Sequence, residues 1–140
     1  MYLQEAFDKV WNWFVVEKHP QSIGVDNDCQ YSTVDAAGNE TRCALGCLAP
    51  TKEEAQRWDS HSLMEFQVAN LLGLKLTRKN MAAAWRKFDQ NISNDGVVKN
   101  YAFVDLRECH DNARNGSGFS HDIHARLKVY AANYGLTVPA

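Results

Sequence analysis

Apolar residues recur three and four positions apart along most of this chain, the spacing that lines one face of an α-helix. Leu3, Phe7, Val10, Trp11, Phe14 and Val15 form the first such stripe and predict a helix from Tyr2 to Lys18. His19-Pro20 closes it, because a residue before proline is pushed out of helical geometry. Residues 21–28, with Gly24, Asp26, Asn27 and Asp28, read as a loop. Cys29 to Val34 and Thr41 to Leu45 then flank Asp35-Ala36-Ala37-Gly38-Asn39-Glu40, whose turn chemistry predicts a short β-hairpin. The second arm has an alternative, turning helical at Cys43, since Ala44, Leu45, Cys47 and Leu48 do not alternate in polarity.

Pro50-Thr51-Lys52-Glu53-Glu54 is a helix entry in which Thr51 accepts from the third helical amide and Glu54 reaches back to the Thr51 backbone. It predicts a helix over 52–59. Ser60 or Ser62 caps the next, with Leu63, Phe66, Ala69 and Leu71 or Leu72 as its buried stripe before Gly73. After Thr77, Met81, Trp85, Phe88 and Ile92 recur as a core-facing stripe, with Arg78, Lys79, Arg86 and Lys87 off it. Val98, Ala102, Leu106, Cys109 and Ala113 repeat the spacing. Ser120 caps a last helix buried through Ile123, Leu127, Tyr130 and Tyr134, and Gly135 closes it in the left-handed conformation with Leu136 folding back. Five or six helices around one small antiparallel hairpin amount to an α+β, mostly helical single domain over residues 1–140.

Composition agrees with a folded domain. At 140 residues the chain is long enough to bury about two thirds of its surface. A content of 45% hydrophobic, 11% aromatic and 23% charged residues is too apolar for disorder, and a net charge of -2 is too balanced for a general nucleic-acid binder. No run approaches the roughly 20 apolar residues of a membrane span. Glu5, Asp8, Glu17 and Lys18 break up any secretory signal, so a cytoplasmic protein with its cysteines as thiols is expected.

Three constellations bear on chemistry. Cys29, Cys43, Cys47, Cys109 and His110 are soft ligands for zinc, but only Cys43-x3-Cys47 has local ligand spacing. The ordinary reading is that cysteine fills cores, and Cys109 lies on its own helix's apolar stripe. Packing is the leading reading of Cys29, Cys43 and Gly46, with Cys29 and Cys43 as neighbours across the hairpin and Gly46 marking a close backbone approach or a left-handed turn. A thiol hydrolase or transferase is the second possibility. Cys43 would open a helix whose amides stabilise its thiolate, with His110 as base and Asp111 as orienter. Against it, adjacent residues do not readily face each other along a helix. Third, Asp89-x-Asn91-x-Ser93-x-Asp95-Gly96 has alternating oxygens like a calcium loop but no Glu at the twelfth position in either register, so a turn is the better reading. No cofactor or metal is expected.

Two charged faces remain. Arg78 and Lys79 sit in a helical first turn, where the dipole disfavours cations, and with Arg86 and Lys87 they make a basic patch. Glu53, Glu54 and Asp59 around Trp58 make an acidic one. Such faces are ordinarily just solvated. Their functional reading is docking to a partner protein or a protein–nucleic-acid complex.

Cys29-x-Tyr31, Cys43-Ala44-Leu45-Gly46-Cys47-Leu48-Ala49-Pro50, Leu106-x3-His110-Asp111 and Tyr134-Gly135-Leu136 together resemble a group of small uncharacterised bacteriophage and prophage proteins. Those carry a Cys-x-Tyr strand, an Asp-Gly turn, a Cys-Ala-x-Gly-x-Leu segment and a late His-Asp on a helix. Here Ala37-Gly38-Asn39 replaces the Asp-Gly turn, and Ala49 stands where a bulkier residue is common. The resemblance implies a mobile-element setting in a bacterial host and transfers no catalytic residue. Accessory proteins in that setting often block a host protein, such as a CRISPR-type defence complex. The expectation is a non-enzymatic, cytoplasmic anti-defence protein that binds and inhibits a host macromolecule.

Overall fold

The first apolar stripe is buried as its spacing requires. In the computed structural model, which describes residues 1–24, 29–87 and 95–139, Leu3, Phe7, Val10 and Trp11 seat helix α1 (Leu3–Trp11) in the core. The helix then widens into one π-helical turn over Asn12–Val16, with the Glu17 amide donating to the Asn12 carbonyl at 2.8 Å. Lys18 turns left-handed at φ 57°, so the helix stops earlier than the proline signal indicates. The wider turn keeps Phe14 buried and stacks Trp13 on His19.

Strands β1 (Ser32–Val34) and β2 (Glu40–Arg42) pair antiparallel, Thr33 opposite Thr41. Asp35 makes the turn by accepting the Ala37 and Asn39 amides at 2.9 Å each. Beyond β2 the chain takes the helical alternative, Cys47 donating to the Cys43 carbonyl at 3.0 Å before a 3-10 turn over Gly46–Leu48. Cys29 does not face Cys43: the Cys43 amide donates to the Tyr31 carbonyl at 3.3 Å, and Cys29 pairs with Ile23 instead. Gly46 marks a close approach, since a Cβ there would lie 1.8 Å from the Tyr31 carbonyl oxygen.

Helix α2 (Lys52–Ser60) begins at Thr51, whose side chain accepts the Glu54 amide at 3.2 Å. The reciprocal half of the expected box is absent, because the Glu54 carboxylate bonds the Trp58 indole and Arg57. Helix α3 (Glu65–Leu71) is capped at Met64 rather than by a serine, the Met64 amide donating to Gln67. At two turns it buries only Val68 and Ala69, leaving Phe66 and Leu71 exposed.

Helix α4 (Arg78–Lys87) departs most from its pattern. It buries Asn80, Ala83 and Ala84, while Met81 is half-buried and Trp85 is 42% exposed. The cause is close packing on the end of helix α6 (Phe119–Tyr134). A Cβ on Gly135 would sit 3.2 Å from that of Ala83 and 3.3 Å from the Lys79 carbonyl, so only small side chains fit. Asn80 also donates to the Tyr134 carbonyl at 2.8 Å, satisfying an end-of-helix acceptor. Phe88, Ile92 and the calcium-like run through Asn94 lie outside the described residues. Helix α5 (Asp95–Asp111) and α6 bury the predicted stripes, and Gly135 adopts φ 66° with the Leu136 amide returning to the Ala131 carbonyl. With α3 on α5, α6 against α4, α5 and the π turn, and α2 on β1, the fold is α+β and mostly helical with one two-stranded sheet. Among the described residues no helix is long and apolar enough to cross a membrane.

Candidate functional site

A polar cluster surrounds His110 in the last turn of α5, fully buried between Phe14 and Phe119. The Ser22 amide donates to Nε2 at 2.9 Å, and Nδ1 lies 2.7 Å from Asp111 Oδ1. A backbone N–H can only donate, so Nε2 presents its lone pair and the neutral ring carries its proton on Nδ1, given to Asp111. Adjacent His and Asp meet after all, because at the helix end the carboxylate folds back. Arg107, one turn earlier, donates to the Tyr31 hydroxyl (3.1 Å), Glu65 (3.3 Å) and the Cys29 carbonyl (3.2 Å), and its Nε lies 3.3 Å from Asp111. Its guanidinium stacks 4.3 Å over the Tyr31 ring. Gln21 donates to the carbonyls of His110 and Ala113, and Asp59 accepts the Tyr31 and Ser32 amides at 2.9 Å each. The cluster therefore ties the segment before the hairpin, β1, α2, α3 and α5 together.

The sulfur brought to this imidazole is that of Cys29, within 4.8 Å of both the ring and Asp111. Cys43 is fully buried. Its sulfur does accept the Gly46 amide at 3.3 Å at the start of a helical turn, as expected of a helix-opening cysteine. Burial nevertheless outweighs that amide and the nearby Arg107 charge and pushes the thiol up to about 12. Burial likewise pushes Cys109 up to about 12 and raises Cys47. These three sulfurs are packed thiols rather than nucleophiles.

Neither nitrogen of His110 is open to act as a base. Nε2 is taken by a main-chain donor where a nucleophile would have to stand, and Nδ1 delivers its proton to Asp111. The same pattern does not fit a metal. Ligation through Nε2 would displace the Ser22 amide, and ligation through Nδ1 would put a proton on Nε2 facing that N–H, beside the positive Arg107. Cys29, His110 and Asp111 are the one such group of metal-ligating side chains among the described residues, so the wider set with Cys43, Cys47 and Cys109 does not converge.

The two charged faces fare differently. Trp58 is core, 1% exposed and edge-on to Tyr31, its indole N–H donating to half-buried Glu54 one turn earlier on α2. Asp59 is committed to the β1 amides and Glu54 to Trp58 and Arg57, leaving only Glu53 fully outward. On α4, Lys87 pairs with Asp105 at 2.9 Å. Arg78, Lys79 and Arg86 are exposed and form no ion pair among the described residues. Beside them Leu76, Thr77, Arg78, Met81, Ala82 and Trp85 line a groove of about 350 Å³. Trp85 and Met81 were readable as a stripe but not as a surface. The hint lay in Ala82-Ala83-Ala84, which gives the helix a second, smaller apolar face.

No protein-family model matches the chain, and no curated protein or solved structure is significantly similar to it.

Proposed function

We propose that this is a non-enzymatic binding protein, encoded by a phage or other mobile element, that acts in its bacterial host by occupying and inhibiting a host macromolecule such as a defence complex. The observation that carries the reading is the outward face of α4, where exposed Trp85 and half-buried Met81 lie among three cations that form no ion pair among the described residues. Arg, Trp and Met are the residues enriched at protein interfaces, and a desolvated Trp or Arg can supply most of a complex's affinity. The His110 cluster supports the same view from the other side, since its hydrogen bonds are spent on holding the fold.

The test is capture of partners from bacterial lysate with tagged protein under gentle conditions, followed by mass spectrometry and an activity assay of the partner. A discrete complex whose partner loses activity is expected. Recovery of no specific partner, or of one whose activity is untouched, overturns the proposal.

A further inference from the structure

We infer that the α4 face receives an acidic amphipathic segment of a partner protein, an inference that rests on the binding reading and names the chemistry of the partner. At about 100° per residue, Arg78, Met81, Ala82 and Trp85 fall on one stripe, directly opposite the buried Asn80, Ala83 and Ala84. Lys79 and Arg86 lie together along one flank of that stripe. The groove thus has an apolar floor and a cationic edge, and Leu76 at its end also borders a second groove with Tyr2 and Lys75. An amphipathic segment with apolar anchors at helical spacing fills such a floor, and carboxylates on one side meet the edge.

Charge supports this occupant. Helix α4 holds four basic and no acidic residues in ten, and Arg78 and Lys79 stand in its first turn, where the macrodipole repels them. Lys87 alone of the four has a carboxylate partner among the described residues, Asp105. A partner's carboxylates would relieve both the dipole clash and the mutual repulsion of Arg78 and Lys79. A nucleic-acid backbone offers anions but nothing to cover Leu76, Met81 and Trp85, and binding to it grows with the number of phosphates neutralised, which one helix of a chain with net charge -2 limits.

The experiment selects displayed random 16-residue peptides on the intact protein, then titrates the enriched peptide, and separately a 16-base-pair DNA duplex, into isotopically labelled protein followed by amide NMR. The expected peptide carries Asp or Glu beside aromatic or aliphatic residues three and four apart and shifts signals within 76–87. Its affinity falls at least tenfold in Arg78→Glu/Lys79→Glu and in Trp85→Ala, both surface changes that leave the spectrum elsewhere unchanged. Enriched peptides without acidic residues, or peptides bound equally by both variants, overturn the inference. So does a duplex that shifts 76–87 when no acidic peptide does, although the binding reading then stands. A lysate partner whose capture survives both variants likewise overturns the inference alone. No enrichment, no duplex shift and no lysate partner overturn both.

Discussion

Replacing His110 by Ala separates a fold-holding imidazole from a catalytic one. At about 0.05–0.15 kcal/mol per residue, a domain of 140 residues has roughly 7–20 kcal/mol of stability to lose. The substitution leaves the buried Ser22 amide without its acceptor, which costs about 1–3 kcal/mol. It also empties the ring's place between Phe14 and Phe119, by analogy with large-to-small core changes about 2–3 kcal/mol more. With about 4 kcal/mol lost and a urea slope of about 2 kcal/mol/M, the unfolding midpoint falls by about 2 M. His110→Gln, whose amide oxygen can accept the Ser22 N–H, loses about half as much. Two spectroscopic readings accompany the unfolding curves. Imidazole nitrogen shifts place the proton on Nδ1, and Ser22 amide exchange, slow in the parent, accelerates in the Ala variant. A midpoint change under about 0.5 M, or a proton found on Nε2, refutes the argument, because the ring would then be dispensable to the fold or oriented for chemistry.

Gly46→Ala drives a Cβ into the Tyr31 carbonyl and must part the chain from β1, so chemical denaturation shows a loss of about 2–4 kcal/mol from overpacking and the Cys43–Tyr31 hydrogen bond, and an unchanged midpoint refutes the close approach. The thiols of Cys43 and Cys109, ordinarily near 9 and pushed by burial to about 12, keep protons that the unfolded chain releases above pH 9. Stability is therefore full below pH 9 and falls toward pH 12, by at most about 2.7 kcal/mol per pH unit from the two together. Urea midpoints measured across that range in the parent and in Cys43→Ala/Cys109→Ala check it, the double variant giving the flatter curve. At pH 8 iodoacetamide labels fully buried Cys43 far more slowly in the native than in the unfolded protein, and equal rates contradict its burial. Arg78→Glu/Lys79→Glu raises the thermal midpoint, because two carboxylates replace two cations in the first turn of α4, a gain of about 0.5–1.5 kcal/mol, and a lower midpoint shows that these cations have folded-state partners.

The elements that were legible beforehand are those whose signals are local. The Thr51 cap, the Asp35 turn, the Gly135 stop and the stripes of α1, α5 and α6 depend on residues within a turn or two of one another, where hydrogen-bond geometry and helical period leave few choices. Gly46 was readable only as a close approach or a left-handed turn, and the Tyr31 carbonyl, brought from the far side of the hairpin, decides for the close approach.

What the order of residues determined by itself is the fold class, the position of most helices and the presence of His110 and Asp111 on one of them. The tertiary structure alone decided which face of α4 is buried, that Trp58 turns inward, and that Cys29 rather than Cys43 comes to the imidazole. Each of these depends on what a distant segment brings. The cap of α6 leaves room only for a small side chain at Ala83, Tyr31 packs edge-on against the Trp58 indole, and Ser22 occupies the nitrogen on which catalysis would depend. Periodicity records how apolar a face is, whereas burial follows which neighbour fits closest, and that is set by contacts between residues far apart in the chain.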